Sequence, residues 1–494
     1  MFQSSKTLAH LSMGRLQAIL SVALLAAPVL TALSATAVAQ PSLRDEALAT
    51  AKGAVKFLQQ EVSTRGGYLW RYSADLSQRE GEGVVVSETV WTQPPGTPTV
   101  GEAFLDLYAA TQDPLFLNAA QAAGEALRQG QMLSGGWQAS VEFEPERRAK
   151  WAYRTNAKQH RRAKDQSSLD DDKTQASLRF IIRLDSALMM MDEQVHEMAL
   201  FALEGLLTKG QFPNGGFPQV FGSNLKNSAH TQVHPNARAR YPAAWSREYQ
   251  GHQEYWYRLT LNDNLAPDLF DALFLAYETY QDERYRAAAI KLADFLLLAQ
   301  LPEPQPAWAQ QYNYDMEPIW ARKFEPAAVT GGESQGVIRT LLSIYRKTGE
   351  PKYLEPIPRT IAFLKRSQLA DGRLARFYEL QTNRPLYFTK DYKVTYDDSD
   401  MPTHYAFQVS NSVASLEREY EKLLSLSKEE LATSQKRISR ASQQEVQQIV
   451  SEVDERGIWL SAMDMRYHKS PGPVIDMRET VKKLKLLAAY LQND

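Results

Sequence analysis

Cysteine is absent from all 494 residues, and histidine is scarce at eight. The first absence excludes disulfides, thiolate metal sites and a thiol nucleophile, so stability must come from core size or bound ions. Charge of one sign is also missing: the formal net is -2. No global field draws nucleic acid to such a chain, and an anionic partner needs a local basic site. Beyond the first forty residues no run is long and apolar enough to cross a membrane.

The apolar run that does exist stands at the start. Lys6 and Arg15 precede LQAILSVALLAAPVLTAL, and Ala37-Val38-Ala39 follows as a small-residue cleavage site. The pattern predicts a secretory signal over residues 1–39, with an uncleaved anchor as the alternative that Pro28 and the A-x-A triplet disfavour. The expectation is an exported chain, secreted or periplasmic, monomeric, without stable membrane insertion once the signal is removed. Residues 40–494 then form a single catalytic domain.

Apolar residues are 44% of the chain, and they recur at helical spacing. AFLDLYAATQDPLFLNAAQAAGEALRQGQ and DALFLAYETYQDERYRAAAIKLADFLLLAQ each break once, at QDP or QDE, and so predict pairs of antiparallel helices. Each unit runs into a short turn: RGGYLW, SGGWQA, NGGFPQ, PEPQPAWAQ and DGRLARFY. The spacing of these turns implies a period of roughly 70 to 80 residues. Hairpins that each expose an apolar face must stack, and a closed ring buries every face. The predicted fold is therefore all-α, an (α/α) toroid. In it the turns converge at one end, where Trp137, Phe217 and Trp308, with Gln311 beside the last, offer flat faces and a polar group to a sugar chain. The alternative is that these aromatics plug the ends of the hairpins. Beyond about residue 411 the chain is strongly charged and predicts solvated helices that close the ring.

Two long polar connections, residues 142–168 and 222–258, interrupt the pattern, and both end just before an acidic motif. Asp170, Asp171 and Asp172 stand in SSLDDDKTQ, and Asp263 stands in TLNDN; each reads either as a helix N-cap or as an oxygen-ligand cluster. With no cysteine and few histidines, a metal held there would be a hard ion, calcium above magnesium. Asp397, Asp398 and Asp400 suggest a second such site or, in preference, a polar turn. Arg147, Arg148, Lys150, Arg161 and Arg162 form a basic loop that either guides an acidic chain or is simply solvated. In PIWARKFEPAAVTGGESQG, Arg322 lies between Trp320 and Phe324, and Glu333 and Ser334 stand ready to cap the next helix.

The ordered series SGGWQ, SLDDDKTQASLRF, GGFPQVF, LTLNDN, AWAQQY, WARKFEPAAVTGGESQGVIRTLL and ARFYELQTNRPLYF resembles the family 10 polysaccharide lyases, the pectate lyases, over about residues 125–390. The resemblance implies an (α/α)3-like core with extra N- and C-terminal helices, and an exported, calcium-dependent enzyme that cleaves polygalacturonate by β-elimination. It implies calcium ligation by Asp170 and Asp263, and a catalytic base at Arg322. It implies that Arg384 and Lys390 grip the acidic polysaccharide, Lys390 standing where the family has an arginine, with the charge kept and the fork geometry lost. Asp172 stands where the family usually has a small residue. A guanidinium is a poor base near neutrality, so Arg322 either yields its proton at alkaline pH or stays protonated as a clamp. Two other functions remain open: a glycoside hydrolase or unsaturated-glucuronyl hydrolase with paired carboxylic acids, and a non-catalytic uronan-binding protein.

Overall fold

The QD breaks in the sequence become hairpin turns for a local reason. Gln112 ends helix α2 (Thr97–Thr111) in the left-handed conformation, and Asp113 then accepts from Leu115 N to cap α3 (Pro114–Gly130). Gln281 and Asp282 repeat this between α6 (Leu265–Tyr280) and α7 (Glu283–Leu298). Asp192 caps α5 (Glu193–Gly205) after α4 (Lys173–Ala187) in the same way. The remaining long helices are α1 (Leu43–Phe57), α8 (Gly331–Thr348), α9 (Ile357–Arg366), α10 (Val413–Leu424), α11 (Gln443–Ser451) and α12 (Met477–Leu491). This computed structural model describes residues 41–222, 232–433 and 441–492. The expected signal segment and residues 223–231 of the second long connection lie outside them.

An inner series of helices packs in the order α12, α2, α4, α6, α8, α10, with α3, α5, α7 and α9 outside. α1 packs on α12 and α3, so the last helix returns to the first and the all-α toroid closes through the chain ends. The hairpins α4/α5, α6/α7 and α8/α9 belong to the family-like stretch, and the flanking helices complete the ring. One apolar core runs through it, from Ala47 and Phe104 to Phe295, Ile338 and Leu487.

Short strands mark one end of this ring. β1 (Arg71–Ser73) is followed by β2 (Thr89–Trp91), β3 (Ser140–Glu142), β4 (Gln166–Ser168), β5 (Val220–Gly222), β6 (Leu259–Thr260), β7 (Gln311–Tyr312), β8 (Val329–Thr330), β9 (Phe377–Tyr378), β10 (Pro385–Phe388) and β11 (Val474–Asp476). In each hairpin the strand entering the inner helix pairs antiparallel with the strand leaving the outer one: β2 with β3, β4 with β5, β6 with β7, β8 with β9. β11 and β1 make the same pair for α12 and α1, with Arg71 opposite Asp476. The starts of α2, α4, α6, α8 and α12 therefore share one end of the ring, and their positive dipole ends face it.

The glycine turns serve packing. Gly66 and Gly215 have positive φ, and a Cβ there would fall 2.2 Å from the Ala122 carbonyl oxygen and 2.0 Å from that of Lys291. Each turn thus nests against the neighbouring outer helix.

The aromatics that follow the turns are not sugar platforms, which corrects the expectation. Trp137, Phe217 and Trp308 are wholly buried, and Gln311 is 1% exposed. Trp137 Nε1 donates to the Leu127 carbonyl at 2.8 Å, and Trp308 Nε1 to that of Leu296 at 2.8 Å. Both carbonyls belong to the last turn of an outer helix, where no intrahelical partner exists. The indoles plug the ring and satisfy those groups, while Gln311 Nε2 donates to Thr260 Oγ1.

Trp308→Ala is expected to destabilise the protein by about 3–5 kcal/mol, the usual loss for a buried aromatic, in urea unfolding. A variant as stable as the parent would refute the plug.

Candidate active site

Where β4 ends, the chain turns through Asp170–Asp172 before α4, and Asp171 and Asp172 both take positive φ, 46° and 61°. Where β6 ends, Asp263 and Asn264 do the same before α6, at 53° and 55°. Aspartate and asparagine are among the few side chains that tolerate this backbone. The left-handed turns aim these side chains away from the helices that follow. Neither Asp172 nor Asn264, the residue before each helix, makes a side-chain cap, which sets aside the N-cap reading. Ser334 likewise accepts from Trp308 N at 3.1 Å instead of capping α8.

Carboxylate oxygens of Asp170, Asp171 and Asp263 lie within 4.8 Å of one another. Asp170 accepts from Gln219 Nε2 of the loop before β5 and from Lys173 Nζ at 2.8 Å; Lys173 is nearly buried and 3.7 Å from Asp171. Asp171 also accepts from Gln93 Nε2 at 3.1 Å, and Asp263 from Asn262 Nδ2. Asp263 is itself open to solvent, but the protein crowded around its carboxyl pushes it up to about 7, and the charges of Asp170, Asp171 and Glu333 add to the rise. Burial raises Asp171 too, with Asp170 adding to it. One lysine does not neutralise three carboxylates, and the Oδ1 of buried Asn262 has no donor. This all-oxygen, electron-rich donor set fits a hard divalent cation, calcium in particular.

Asp172 does not join the cluster. Its carboxylate pairs with Arg179 Nη2 at 2.5 Å, and Arg179 Nη1 donates to the Asp268 carbonyl of α6. It ties two inner helices together, α4 to α6.

Arg322 follows β7 in a tight loop, and Glu325 three residues later folds back on it. Glu325 is 2% exposed in its side chain. It accepts from Arg322 Nε at 2.7 Å, from Arg322 Nη2 and from the Arg322 backbone at 3.1 Å, and also from Gln310 Nε2 and Tyr405 Oη, each at 2.9 Å. Phe324 and Tyr405 lie under the guanidinium at 5.0 and 5.5 Å. The fork hydrogen bonds to Glu325 hold Arg322 well above the ordinary guanidinium range. Its positive charge in turn favours the ionised forms of Asp171 and Asp263. The arginine is thus a fixed cation facing the acidic cluster, with its side chain 45% exposed.

Glu333, in the first turn of α8, lines a cavity of about 230 Å³ with Asp263, Asn264, Arg339 and Arg376. Burial pushes its carboxyl up, and Arg376 Nη1 stands 3.6 Å away. Two half-buried aromatics accompany the Arg322 loop: Tyr249 packs on Trp320 at 5.7 Å, and Trp320 Nε1 donates to the Ser246 carbonyl of the second long connection.

Arg384 and Lys390 flank β10. Arg384 lies 3.4 Å over the Tyr396 ring, and exposed Lys390 pairs with Asp400 at 2.9 Å. β10 pairs antiparallel with Val394–Thr395 in a hairpin, and the contacts of Arg384 and Lys390 run to that hairpin and the turn after it, not to the acidic cluster. Asp397 accepts from Ser399 N and Asp398 from Gln408 Nε2. Those aspartates make a polar turn, and among the described residues only Asp170, Asp171 and Asp263 form a three-carboxylate group.

Residues 131–344 match the pectic acid lyase family, a stretch that contains the acidic turns, Arg322 and Glu333. No curated protein matches the chain. Among solved structures, the family 10 polysaccharide lyase from Cellvibrio cellulosa is 17% identical, with a TM-score of 0.44, over 67% of this chain and 98% of that one. A mutant of that enzyme in complex with trigalaturonic acid is 17% identical, with a TM-score of 0.43, over 66% and 97%. Cellobiose 2-epimerase from Bacillus thermoamylovorans is 13% identical, with a TM-score of 0.45, over 92% and 98%.

Asp171→Asn is expected to weaken calcium binding, followed by calorimetry, by at least the ~10-fold that even outer-shell partners carry. Asp172→Asn is expected to leave that affinity unchanged and to lower stability instead, by about 3 kcal/mol for a half-buried ion pair losing one partner. Parental affinity in the Asp171 variant would remove that residue from the site.

Proposed function

We propose that the protein is a calcium-dependent uronan lyase that cleaves polygalacturonate by β-elimination, acting after export. The single observation that carries this reading is the opposition of three clustered carboxylates and one fixed guanidinium at the helix-start end of the toroid, inside the stretch that matches the pectic acid lyases. A site for a neutral sugar has no need of either.

Asp170, Asp171 and Asp263 would hold the ion. When bound, calcium supplies positive charge against the uronate carboxylate, which acidifies the neighbouring C5 proton and stabilises the enolate-like transition state. The cleft's own residues do the rest. Arg322 presents its free edge to the same carboxylate, since Glu325 occupies one fork of the guanidinium and the charge remains. Trp320 and Tyr249 border the cleft with flat apolar faces suited to a pyranose ring. In the elimination the C5 proton passes to a hydroxide of the solvent, its C–H electron pair forms the C4–C5 double bond, and the C4–O bond breaks with its pair leaving on oxygen, which takes a proton from water. Glu325 stabilises the protonated form of Arg322, so the structure favours the clamp over the base at neutral pH.

Purified protein given polygalacturonate and calcium is expected to release unsaturated product absorbing near the ultraviolet edge, and chelator is expected to abolish it. New reducing ends without the double bond would transfer the protein to the hydrolases. Arg322→Lys is expected to keep measurable elimination, reduced by about 10–100-fold through the lost fork, whereas Arg322→Ala loses several-fold more. A lysine variant as inactive as the alanine one would restore the arginine-specific base.

A further inference from the structure

The geometry points to a second, accessory polyuronate-binding site on the connection between β3 and β4, lying outside the catalytic cleft. This inference rests on the uronan reading above and concerns how a long chain is held, not how it is cut.

The connection is built, not loose. Ala152 N donates to the Lys164 carbonyl and Lys164 N to that of Lys150, each at 2.9 Å, so the two arms lie side by side. Leu133 N donates to the Ala152 carbonyl at 3.0 Å, which ties the arms to the glycine turn beyond α3. Between the arms opens a cavity of about 390 Å³ lined by Lys150, Arg162, Lys164, His160 and the half-buried ring of Trp151. A single acidic group, Glu146, shares the lining. Lys150, Arg161, Arg162 and Lys164 make no ion pair among the described residues, and all four are exposed. By contrast Arg148 and Arg154, on the same connection, are bound to carbonyls, Gln131 and Glu197. Three exposed cations without an ion pair, Lys150, Arg162 and Lys164, line one opening, in a protein whose net charge is slightly negative.

Position says what the opening would take. Lys164 stands six residues before Asp170, so the cavity lies within roughly 20 Å of the acidic cluster even for a fully extended segment. It shares the helix-start end of the ring with that cluster. A polymer with one carboxylate per sugar, seated in the cleft, has further carboxylates to place over that span, and exposed cations with one aromatic face match them by charge and by stacking. An oligomer too short to span from the cleft to the opening makes no contact there. The site therefore discriminates by length.

The test uses the full mature protein with Lys150, Arg162 and Lys164 all changed to Ala; all three are exposed, and circular dichroism checks that the fold is kept. Retention in affinity electrophoresis through polygalacturonate, with chelator present so that no turnover intervenes, is expected to weaken about tenfold. In calcium, KM for polygalacturonate is expected to rise by a similar factor, with kcat and all constants for trigalacturonate unchanged. Loss of the salt sensitivity of retention accompanies it. Undiminished retention of the triple variant overturns the inference, as does an equal loss for the trimer or equal retention of the parent by neutral galactan. Stronger parental retention by duplex DNA than by polygalacturonate overturns it too. Asp170→Ala separates this from the lyase reading, because elimination is lost there while polymer retention stays. A parent that binds the polymer and cleaves none defeats the lyase reading alone.

Discussion

Everything at the functional end of this protein depends on one repeated constraint, the antiparallel pairing of a short strand before each inner helix with a short strand after its outer partner. The pairs are two or three residues long. They fix where each inner helix begins, and so bring the loops β4–α4, β6–α6 and β8–α8 to one face. Backbone hydrogen bonds set the position, leaving the side chains of the loops free for chemistry. The buried indoles belong to the same arrangement. By taking up the last carbonyls of the outer helices, they close the ring from within and leave the cleft to residues on the longer connections.

The electrostatics of the cleft sets three crowded carboxylates against one guanidinium. Three carboxylates with only Lys173 between them resist full ionisation, as Asp263 shows. Arg322 is steadied by a buried carboxylate that itself collects hydrogen bonds from Gln310 and Tyr405. Such a site has spare negative charge for a cation on one side and spare positive charge for an anion on the other. On the lyase reading proposed above, a uronate brings the anion and shares the cation. The two halves of the site come from three separate segments, around Asp170, Asp263 and Arg322, and act as one site only once the ring has formed.

Much of this was legible in the residues. The period of the turns disclosed the hairpins, and the QD breaks marked where each one folds. Asp170 and Asp263 could be picked out because motif and chemistry agreed on them. Other features were hidden for physical reasons. Glycine-aromatic turns show that an aromatic is close to the ring's end but not which way it faces, and the unpaired helix carbonyls drew Trp137 and Trp308 inward. Asp171 and Asp172 are neighbours of one type, and only their left-handed backbone sends one to the cluster and the other to Arg179. Glu325 is three residues from Arg322 in the same motif, yet its hold on the guanidinium exists only once the loop has doubled back. Lys390 could be located by motif, while its pairing with Asp400 depends on a hairpin the spacing did not reveal.

The hairpin made from α12 and α1 is unlike the others, since its two strands join residues 405 positions apart, Arg71 to Asp476. Closing a loop of that length costs roughly 5 kcal/mol of chain entropy, and it is offset only by contacts that form at the moment of closure. A chain emerging in order from its N-terminus therefore carries α1 for almost its whole length without the inner helix it packs against. The ring is a clasp whose two halves are α1 and α12, so this part of it cannot form until α12 is present.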